Sequence, residues 1–296
     1  MIRKEFHGII PYLVSPVNQK TGQIKTDVLK QLSQDLIEKG VHGLSPLGST
    51  GEVHYLTREQ KIEVVQTVVD AARGRVPVIP GVSAYTISDA ITQINEFVEI
   101  GVDGVVLILN TYFPLSKTAI IHFFSTVAKA VKCPIVLYNN PKFSGVDLTP
   151  EIIIKLSEEP NIQYVKDATG VTGRLVSIIN QAGDKIKIFS ASAHIPLFVF
   201  QLGGVGWMSG PACLLPKQSI DLYNFANSNQ WLEGLDLQKR LWQVNEIFQK
   251  YTLAACIKTG LEIQGYEVGG PIPPLSPLNT DDKLTIKKVL DTISRY

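Results

Sequence analysis

Short apolar runs alternate with amphipathic stretches along the first two thirds of the chain. Eight of these runs are continuously apolar, which is typical of strands buried on both faces of a parallel sheet. They predict strands at Gly8–Val14, His42–Leu47, Val76–Val82, Gly104–Leu109, Pro134–Tyr138, Ile162–Lys166, Lys187–Ala191 and Gly204–Met208.

Helical patterns with recognisable start signals lie between the runs. Thr57 is followed three residues later by Gln60, which is the spacing of a capping box, and Thr149 precedes a proline suited to a first helical turn. Eight strand-helix units predict a (β/α)₈ TIM barrel, with an open doubly wound sheet as the alternative. In a barrel, the active site lies at the carboxyl ends of the strands.

Beyond residue 210 the pattern is helical. The periodicity predicts helices at Ser219–Ala226, Gln230–Tyr251, Leu253–Ile263 and Thr280–Ser294. We therefore expect a barrel core over residues 1–210. Residues 211–296 would supply the last barrel helix and a C-terminal helical extension, within one structural unit.

Composition excludes several classes of function. The 296 residues are 45% hydrophobic, enough for a full core, and the net charge of +1 gives no reason to expect a nucleic acid or an anionic membrane as partner. The longest apolar runs have strand length, and the N-terminus lacks the apolar stretch of a signal peptide. We expect a soluble, cytoplasmic protein.

Cysteine and histidine spacing gives no metal signature. Cys133, Cys213 and Cys256 lie too far apart for a zinc knuckle or a redox pair, and we expect buried, reduced thiols. The five histidines have no metal-binding spacing. No metal and no cofactor is therefore predicted.

Two polar side chains end otherwise apolar strands. Lys166 is the stronger candidate, because lysine is seldom buried and burial lowers its pKa until the neutral amine is a nucleophile. Alternatively it reaches solvent or pairs with Asp167. Tyr138 ends the preceding strand, where it is either a packed aromatic or a proton carrier.

A glycine-flanked loop, residues 48–52, follows the second predicted strand. Its sequence, Gly48-Ser49-Thr50-Gly51-Glu52, lacks the lysine of a phosphate-binding P-loop. Two hydroxyls and several backbone N–H groups can instead hold a carboxylate, although an ordinary loop with helix caps is the alternative. With an amine and a phenol at other strand ends, the loop indicates imine formation on a 2-oxo acid.

These three motifs resemble the dihydrodipicolinate synthase/N-acetylneuraminate lyase family. The likeness is carried by residues 48–52, by Tyr138 within Tyr-Asn-Asn-Pro, and by Lys166 within Val-Lys-Asp-Ala-Thr-Gly. It extends from about His7 to Gly210, and the C-terminal helices also fit. The resemblance implies a homotetrameric (β/α)₈ barrel that forms a Schiff base with pyruvate or another 2-oxo acid and joins it to an aldehyde.

The resemblance also implies roles for individual residues. Lys166 would form the imine and Tyr138 would move protons. Ser49 and Thr50, with Gly48 in the same loop, would hold the carboxylate and complete the proton relay.

Further positions follow from the same likeness. Tyr112 approximately matches a tyrosine that the family's synthases insert into a neighbouring subunit's site. Backbone groups near Ala191 and Met208 align with positions that line the pyruvate pocket.

Two departures concern the second substrate. Synthases acting on aspartate semialdehyde have an arginine where this chain has Phe143. Sialic-acid lyases have two carboxylates that are absent from the stretch Ala191–His194. We expect neither activity to be supported in full.

The leading prediction is therefore a pyruvate-dependent class I aldolase or lyase with an unassigned acceptor aldehyde. One alternative is a dihydrodipicolinate synthase with an atypical acceptor site, in which Lys142 would bind the carboxylate. A second alternative is a dehydratase of 2-oxo-3-deoxy sugar acids. A third, non-enzymatic alternative is a barrel that binds a 2-oxo acid as a regulator.

Overall fold

The computed structural model describes residues 4–191 and 195–294. Seven parallel strands form one curled sheet in the order β1-β7-β6-β5-β4-β3-β2. They are β1 (Gly8–Pro11), β2 (Gly81–Ala84), β3 (Val105–Leu109), β4 (Ile135–Asn139), β5 (Ile162–Asp167), β6 (Lys187–Ser190) and β7 (Gly206–Ser209).

Helices cover the outer face of the sheet and form the C-terminal extension. They are α1 (Thr26–Glu38), α2 (Arg58–Ala72), α3 (Ile87–Ile100), α4 (Lys117–Ala130), α5 (Pro141–Ser144), α6 (Pro150–Leu156), α7 (Thr172–Ala182), α8 (Pro196–Gln201), α9 (Pro216–Asn227), α10 (Trp231–Lys250), α11 (Leu253–Ile263) and α12 (Thr280–Ser294). The capping box predicted at Thr57 is present at the start of α2. The predicted C-terminal helices are confirmed within a few residues at their ends.

The predicted second strand, His42–Leu47, closes the ring without forming a regular strand. On one side Ser45 donates a backbone hydrogen bond to Pro11 at the end of β1, and on the other Leu44 donates to Pro77 ahead of β2. Prolines within and beside the segment lack the N–H that a regular ladder needs, so isolated bridges replace a strand. The prediction of a closed TIM barrel, rather than an open sheet, is confirmed.

Strand alternation divides the core into two layers. On β4, Ile135 and Leu137 pack outward beneath the helices, whereas Val136 and Tyr138 face the barrel interior. The interior is filled by large side chains from most strands, so it is a packed core and not a channel. Its members are Phe6, Ile10, Tyr12, Ile79, Val106, Ile108, Val136, Tyr138, Tyr164, Phe189 and Met208.

A buried ion pair ties the C-terminal extension to the loop at residues 48–52. Lys258 on α11 places its Nζ 2.5 Å from Oε2 of Glu52, and both side chains are 1% exposed. The other carboxylate oxygen of Glu52 accepts a hydrogen bond from the backbone N–H of Ile272 at 2.6 Å. Lys258 also donates to the carbonyl of Gly270. One carboxylate therefore joins a barrel loop to two segments of the extension.

The three cysteines, Cys133, Cys213 and Cys256, are all buried, as the sequence predicts. Among the residues described, no cluster of three or more histidine, cysteine, aspartate or glutamate side chains could hold a metal ion. No helix in residues 4–191 or 195–294 has both the length and the apolar character required to cross a bilayer.

Replacing Lys258 by methionine should be strongly destabilising, because it leaves the Glu52 carboxylate buried without a counter-charge. We expect a loss of about 3–5 kcal/mol in the free energy of unfolding. Lys287→Met is the matched control, because Lys287 pairs with Asp291 at the surface and should cost no more than about 1 kcal/mol. Urea unfolding followed by circular dichroism measures both variants. A similar loss of unfolding free energy in both variants would show that the buried ion pair contributes no more than the surface pair.

Candidate active site

The amine of Lys166 lies inside the barrel at the carboxyl end of β5. In the sheet Lys166 is level with Tyr138 on β4 and with Phe189 on β6. Its Nζ lies 3.8 Å from the ring centroid of Tyr12 and 4.3 Å from that of Tyr138. The residue is 7% exposed. Lys166 therefore does not reach into solvent.

Burial lowers the pKa of Lys166 well below that of an ordinary lysine, because the low-polarity surroundings disfavour the ammonium ion. Within the described part of the chain Lys166 has no carboxylate partner that would restore the charged form. A lowered pKa increases the share of the neutral amine at any given pH, and the neutral amine is the nucleophilic form.

Asp167, which the sequence offered as a partner for Lys166, forms its hydrogen bonds with other residues. Its carboxylate accepts hydrogen bonds from the Asn139 side chain at 2.9 Å and from the backbone N–H and hydroxyl of Thr169. Asp167 and Asn139 directly follow Lys166 and Tyr138 in sequence and are also level with each other in the sheet. This bond between neighbouring strand ends keeps the amine and the phenol side by side.

Tyr138 presents a protonated phenol to the same space. Burial raises the pKa of Tyr138, and hydrogen bonds with Ser49 and Asn140 only partly oppose that shift. Asn140 donates to the phenol oxygen at 2.8 Å, and the hydroxyl of Ser49 lies 3.5 Å from it. The phenol can therefore give up and recover a proton beside Lys166, with Ser49 as its nearest hydroxyl neighbour.

The loop at residues 48–52 packs against the ring of Tyr12, and this contact explains its first glycine. A Cβ at position 48 would lie 2.4 Å from Cδ1 of Tyr12, so Gly48 lets the loop approach the ring. Beyond it, Thr50 is buried and Ser49 is half-buried. The hydroxyl of Tyr12 donates to the sulfur of Met208 at 3.7 Å, which links the loop to β7.

A cavity of about 180 Å³ opens where these groups meet, which is room for a small 2-oxo acid. Most residues proposed from the sequence line it. They are Ser49, Thr50, Tyr138, Phe143, Lys166, Ala191 and Met208.

A larger cavity of about 570 Å³ adjoins the first one. Ser49, Phe143, Phe248 and Leu253 line both, and Lys142 lines only the larger one. Phe143 is 59% exposed and stands between the two spaces. The space beside the amine therefore continues into a larger one.

Two of the predicted site residues, Gly48 and Tyr112, do not line this cavity. Tyr112 is 87% exposed, packs edge-to-face on Phe113, and does not line the cavity of its own chain. Residues 192–194 lie outside the described part of the chain. The role predicted for Tyr112 in a neighbouring subunit, and that for the stretch after Ala191, both remain predictions.

Sequence reasoning missed Tyr12 and the contribution of the C-terminal helices. Tyr12 lies inside the predicted strand Gly8–Val14, whereas in the structure it directly follows β1, so the apolar pattern did not show that it lies at the rim. Asn245 and Phe248 on α10, with Leu253 on α11, also line the cavity. Their helices have ordinary amphipathic patterns. Such a pattern predicts which face of a helix is buried, but not that this face borders a cavity.

The lowered pKa of Lys166 can be measured by its reactivity. An ordinary lysine has a pKa of about 10.4, and a lower pKa means that the neutral, reactive amine is present at lower pH. We expect trace acetic anhydride to acetylate Lys166 with a pH midpoint well below that value. Peptide mass spectrometry between pH 6 and 11, with exposed lysines as internal references, gives the midpoint. A midpoint at or above the ordinary value would contradict the burial argument.

Comparison with known proteins gives one consistent result. The model of the dihydrodipicolinate synthetase family matches residues 5–293. A 4-hydroxy-tetrahydrodipicolinate synthase of Phenylobacterium zucineum is 32% identical over 93% of this chain and 94% of its own length. An enzyme of the same name from Methanopyrus kandleri is 29% identical over 97% and 96%.

Solved structures agree in fold. The 4-hydroxy-tetrahydrodipicolinate synthase of Methylacidiphilum fumariolicum SolV superimposes with a TM-score of 0.94 at 27% identity, covering 98% of this chain and 97% of that one. YagE of E. coli K12, a member of the dihydrodipicolinic acid synthase family solved in complex with pyruvate, gives 0.92 at 29% identity, covering 98% and 99%. The predicted resemblance is confirmed, and the protein is a lyase. The chain belongs to the dihydrodipicolinate synthetase family.

Proposed function

We propose that this lyase is a class I aldolase that binds pyruvate, or a related 2-oxo acid, as an imine of Lys166 and joins it to an aldehyde. The observation that carries the proposal is the buried amine of Lys166. It has no counter-charge among the described residues and lies beside the phenol of Tyr138 in a cavity suited to a small acid.

The chemistry follows from the neutral amine. Nζ of Lys166 attacks the ketone carbon of pyruvate. The resulting carbinolamine takes a proton from the phenol of Tyr138 and loses its hydroxyl as water, which gives a protonated imine. This imine draws electrons from C3, which passes a proton back to the Tyr138 oxygen and becomes the nucleophilic carbon of an enamine. The enamine forms a bond to the aldehyde carbon, and the aldehyde oxygen gains a proton. Water then releases the product and restores the amine.

Tyr138 is the proton carrier for these steps. Its raised pKa keeps the phenol protonated between transfers, and the hydroxyl of Ser49 at 3.5 Å provides the next position in a relay. Apo hydrogen bonds of this length often tighten when substrate binds. In this proposal the relay supplies the proton that leaves with water from the carbinolamine and the proton that the aldehyde oxygen gains.

The loop at residues 48–52 holds the carboxylate of the 2-oxo acid. Ser49 and Thr50 contribute hydroxyls and backbone N–H groups at the cavity wall. The position of the loop is set on one side by the Tyr12 ring and on the other by the buried pair of Glu52 and Lys258. The acid is thus oriented with its ketone towards Lys166.

The acceptor half of the site differs from that of synthases that use aspartate semialdehyde. Phe143 stands at the mouth of the cavity where those enzymes have an arginine, and an apolar ring cannot pair with a carboxylate. The acceptor aldehyde therefore remains unassigned. The dehydratase alternative would use the same imine and expel water instead of joining an aldehyde.

A 4-hydroxy-tetrahydrodipicolinate synthase is the second candidate, because similar proteins of about 30% identity carry that name. Lys142 lines the adjoining cavity and would then bind the carboxylate of the second substrate. We also propose a homotetramer, as the resemblance implies. The exposed ring of Tyr112 supports this arrangement, because it is free to enter a neighbouring subunit's site.

Borohydride reduction in the presence of pyruvate should attach one reduced pyruvate to Lys166. Lys166→Ala should take up no label and lose turnover, because the nucleophile is gone. Lys258 is an internal control: it too is buried with a lowered pKa, but it is paired with Glu52 and lies outside the cavity. Peptide mass spectrometry locates the label. Labelling of Lys258, or of no lysine, would refute the imine mechanism.

Tyr138→Phe should retain pyruvate binding and lower kcat by about 10²–10⁴-fold, because it removes the proton carrier but keeps the ring. Tyr164→Phe is the matched control, because that hydroxyl lies deeper in the barrel and accepts a hydrogen bond from the Phe6 backbone. Steady-state kinetics with pyruvate varied separates KM from kcat. Near-normal kcat in Tyr138→Phe would assign the proton transfer to another group.

Aspartate semialdehyde and N-acetylneuraminate should both be poor substrates, with kcat/KM well below about 10⁴ M⁻¹s⁻¹. Phe143→Arg should raise the value for aspartate semialdehyde, because it introduces a guanidinium for the substrate's carboxylate. Assays of both reactions on one preparation give the values. Efficient use of aspartate semialdehyde that is lost in Lys142→Ala would favour the second candidate, the synthase.

A further inference from the structure

One polar side chain in the cavity has no part in the chemistry described above. Asn245 lies on α10, is 7% exposed and lines the cavity that holds the amine of Lys166. Its amide nitrogen Nδ2 is buried without a hydrogen-bond partner among the described residues. Phe248, three residues further along the same helix face, lines the same cavity.

A buried donor without a partner is uncommon, because roughly 90% or more of buried polar groups in folded proteins are hydrogen-bonded. Leaving the donor unpaired is destabilising, and an apolar residue at this position of an amphipathic helix would avoid that cost. The amide also borders a space that a ligand enters. An unpaired donor in such a place is explained if the ligand supplies the acceptor.

The surroundings of Asn245 limit the kind of ligand. Phe143, Phe248 and Leu253 form apolar walls, and Lys166 is the single charged side chain among the described residues that line the cavity. In the proposed mechanism Lys166 carries a protonated imine, whose charge is matched by the carboxylate of the same 2-oxo acid. Lys142 lines only the adjoining cavity. A charged group placed beside Asn245 would therefore have no counter-ion of its own, whereas a neutral acceptor atom would satisfy the amide.

We propose that Asn245 determines acceptor specificity: its Nδ2–H donates a hydrogen bond to a neutral acceptor atom on an aldehyde whose body is compact and apolar. This inference rests on the proposed aldolase function, since it assigns the second substrate of the same site. The barrel strands and loops supply the groups that bind the 2-oxo acid, and α10 supplies the amide that binds the acceptor aldehyde.

The test separates the two halves of the site. Borohydride first fixes pyruvate on Lys166, which leaves only the acceptor half open. Binding of benzyl alcohol and of the three pyridinemethanol isomers is then measured by ligand-observed NMR. These alcohols resemble simple aldehydes but form no imines with surface lysines. The three isomers place one neutral acceptor nitrogen at three positions of the same ring.

We expect at least one pyridinemethanol to bind more tightly than benzyl alcohol. Asn245→Leu should reduce that preference by about two- to tenfold, the worth of one neutral hydrogen bond. Asn245→Ala, which removes the donor with less volume, should repeat the loss if the leucine variant folds poorly. Gln243→Leu is the matched control, because it removes an amide from the same helix outside both cavities.

Several outcomes would overturn the proposal. These are a wild-type protein with no preference among the four alcohols, an unchanged preference in both Asn245 variants, or an equal loss in Gln243→Leu. Weaker pyruvate trapping in Asn245→Leu would instead place the amide in the 2-oxo acid half. If the wild-type protein fails to trap pyruvate, the proposed function fails. The preference for a pyridinemethanol over benzyl alcohol is then measured on the unmodified protein. A failure of the aldolase proposal can thus be told apart from a failure of the Asn245 proposal.

Discussion

Closure of the parallel sheet into a ring is the constraint on which the site depends. In a closed parallel barrel every strand ends at the same rim, so residues more than a hundred positions apart in sequence meet there. The segment His42–Leu47 completes the ring by bonding to β1 on one side and to the chain ahead of β2 on the other. The loop at residues 48–52 directly follows this segment. Its hydroxyls consequently reach the space beside Lys166.

Two buried lysines show how a single neighbouring group decides the chemistry of an amine. Lys258 is buried against the carboxylate of Glu52 at 2.5 Å, which favours its charged form and makes it a structural link. Lys166 is buried among aromatic rings with no described carboxylate partner, and desolvation lowers its pKa. Burial alone is destabilising in both places. At Lys258 the ion pair with Glu52 offsets part of that cost. At Lys166 no such pair opposes it, and the cost favours the neutral, nucleophilic amine.

The two halves of the proposed site come from different parts of the fold. Strand ends and the loop at residues 48–52 form the half assigned to the 2-oxo acid, and they are fixed by sheet register and by the bond between Asn139 and Asp167. Helices α10 and α11 line the half assigned to the acceptor. Helix faces and loops can change without disturbing strand register, so one barrel chemistry is compatible with many second substrates.

The sequence by itself determined the order of the elements and the principal candidates. Apolar runs located the strands, and the polar residues that end them, Lys166 and Tyr138, stood out because periodicity reports burial along a local segment. The irregular closure at His42–Leu47 and the contact between Tyr12 and Gly48 were decided only by the tertiary structure, as was the unpaired amide of Asn245. Each of these depends on which surfaces meet across the barrel. A local pattern shows that a side chain is buried, but not what it is buried against.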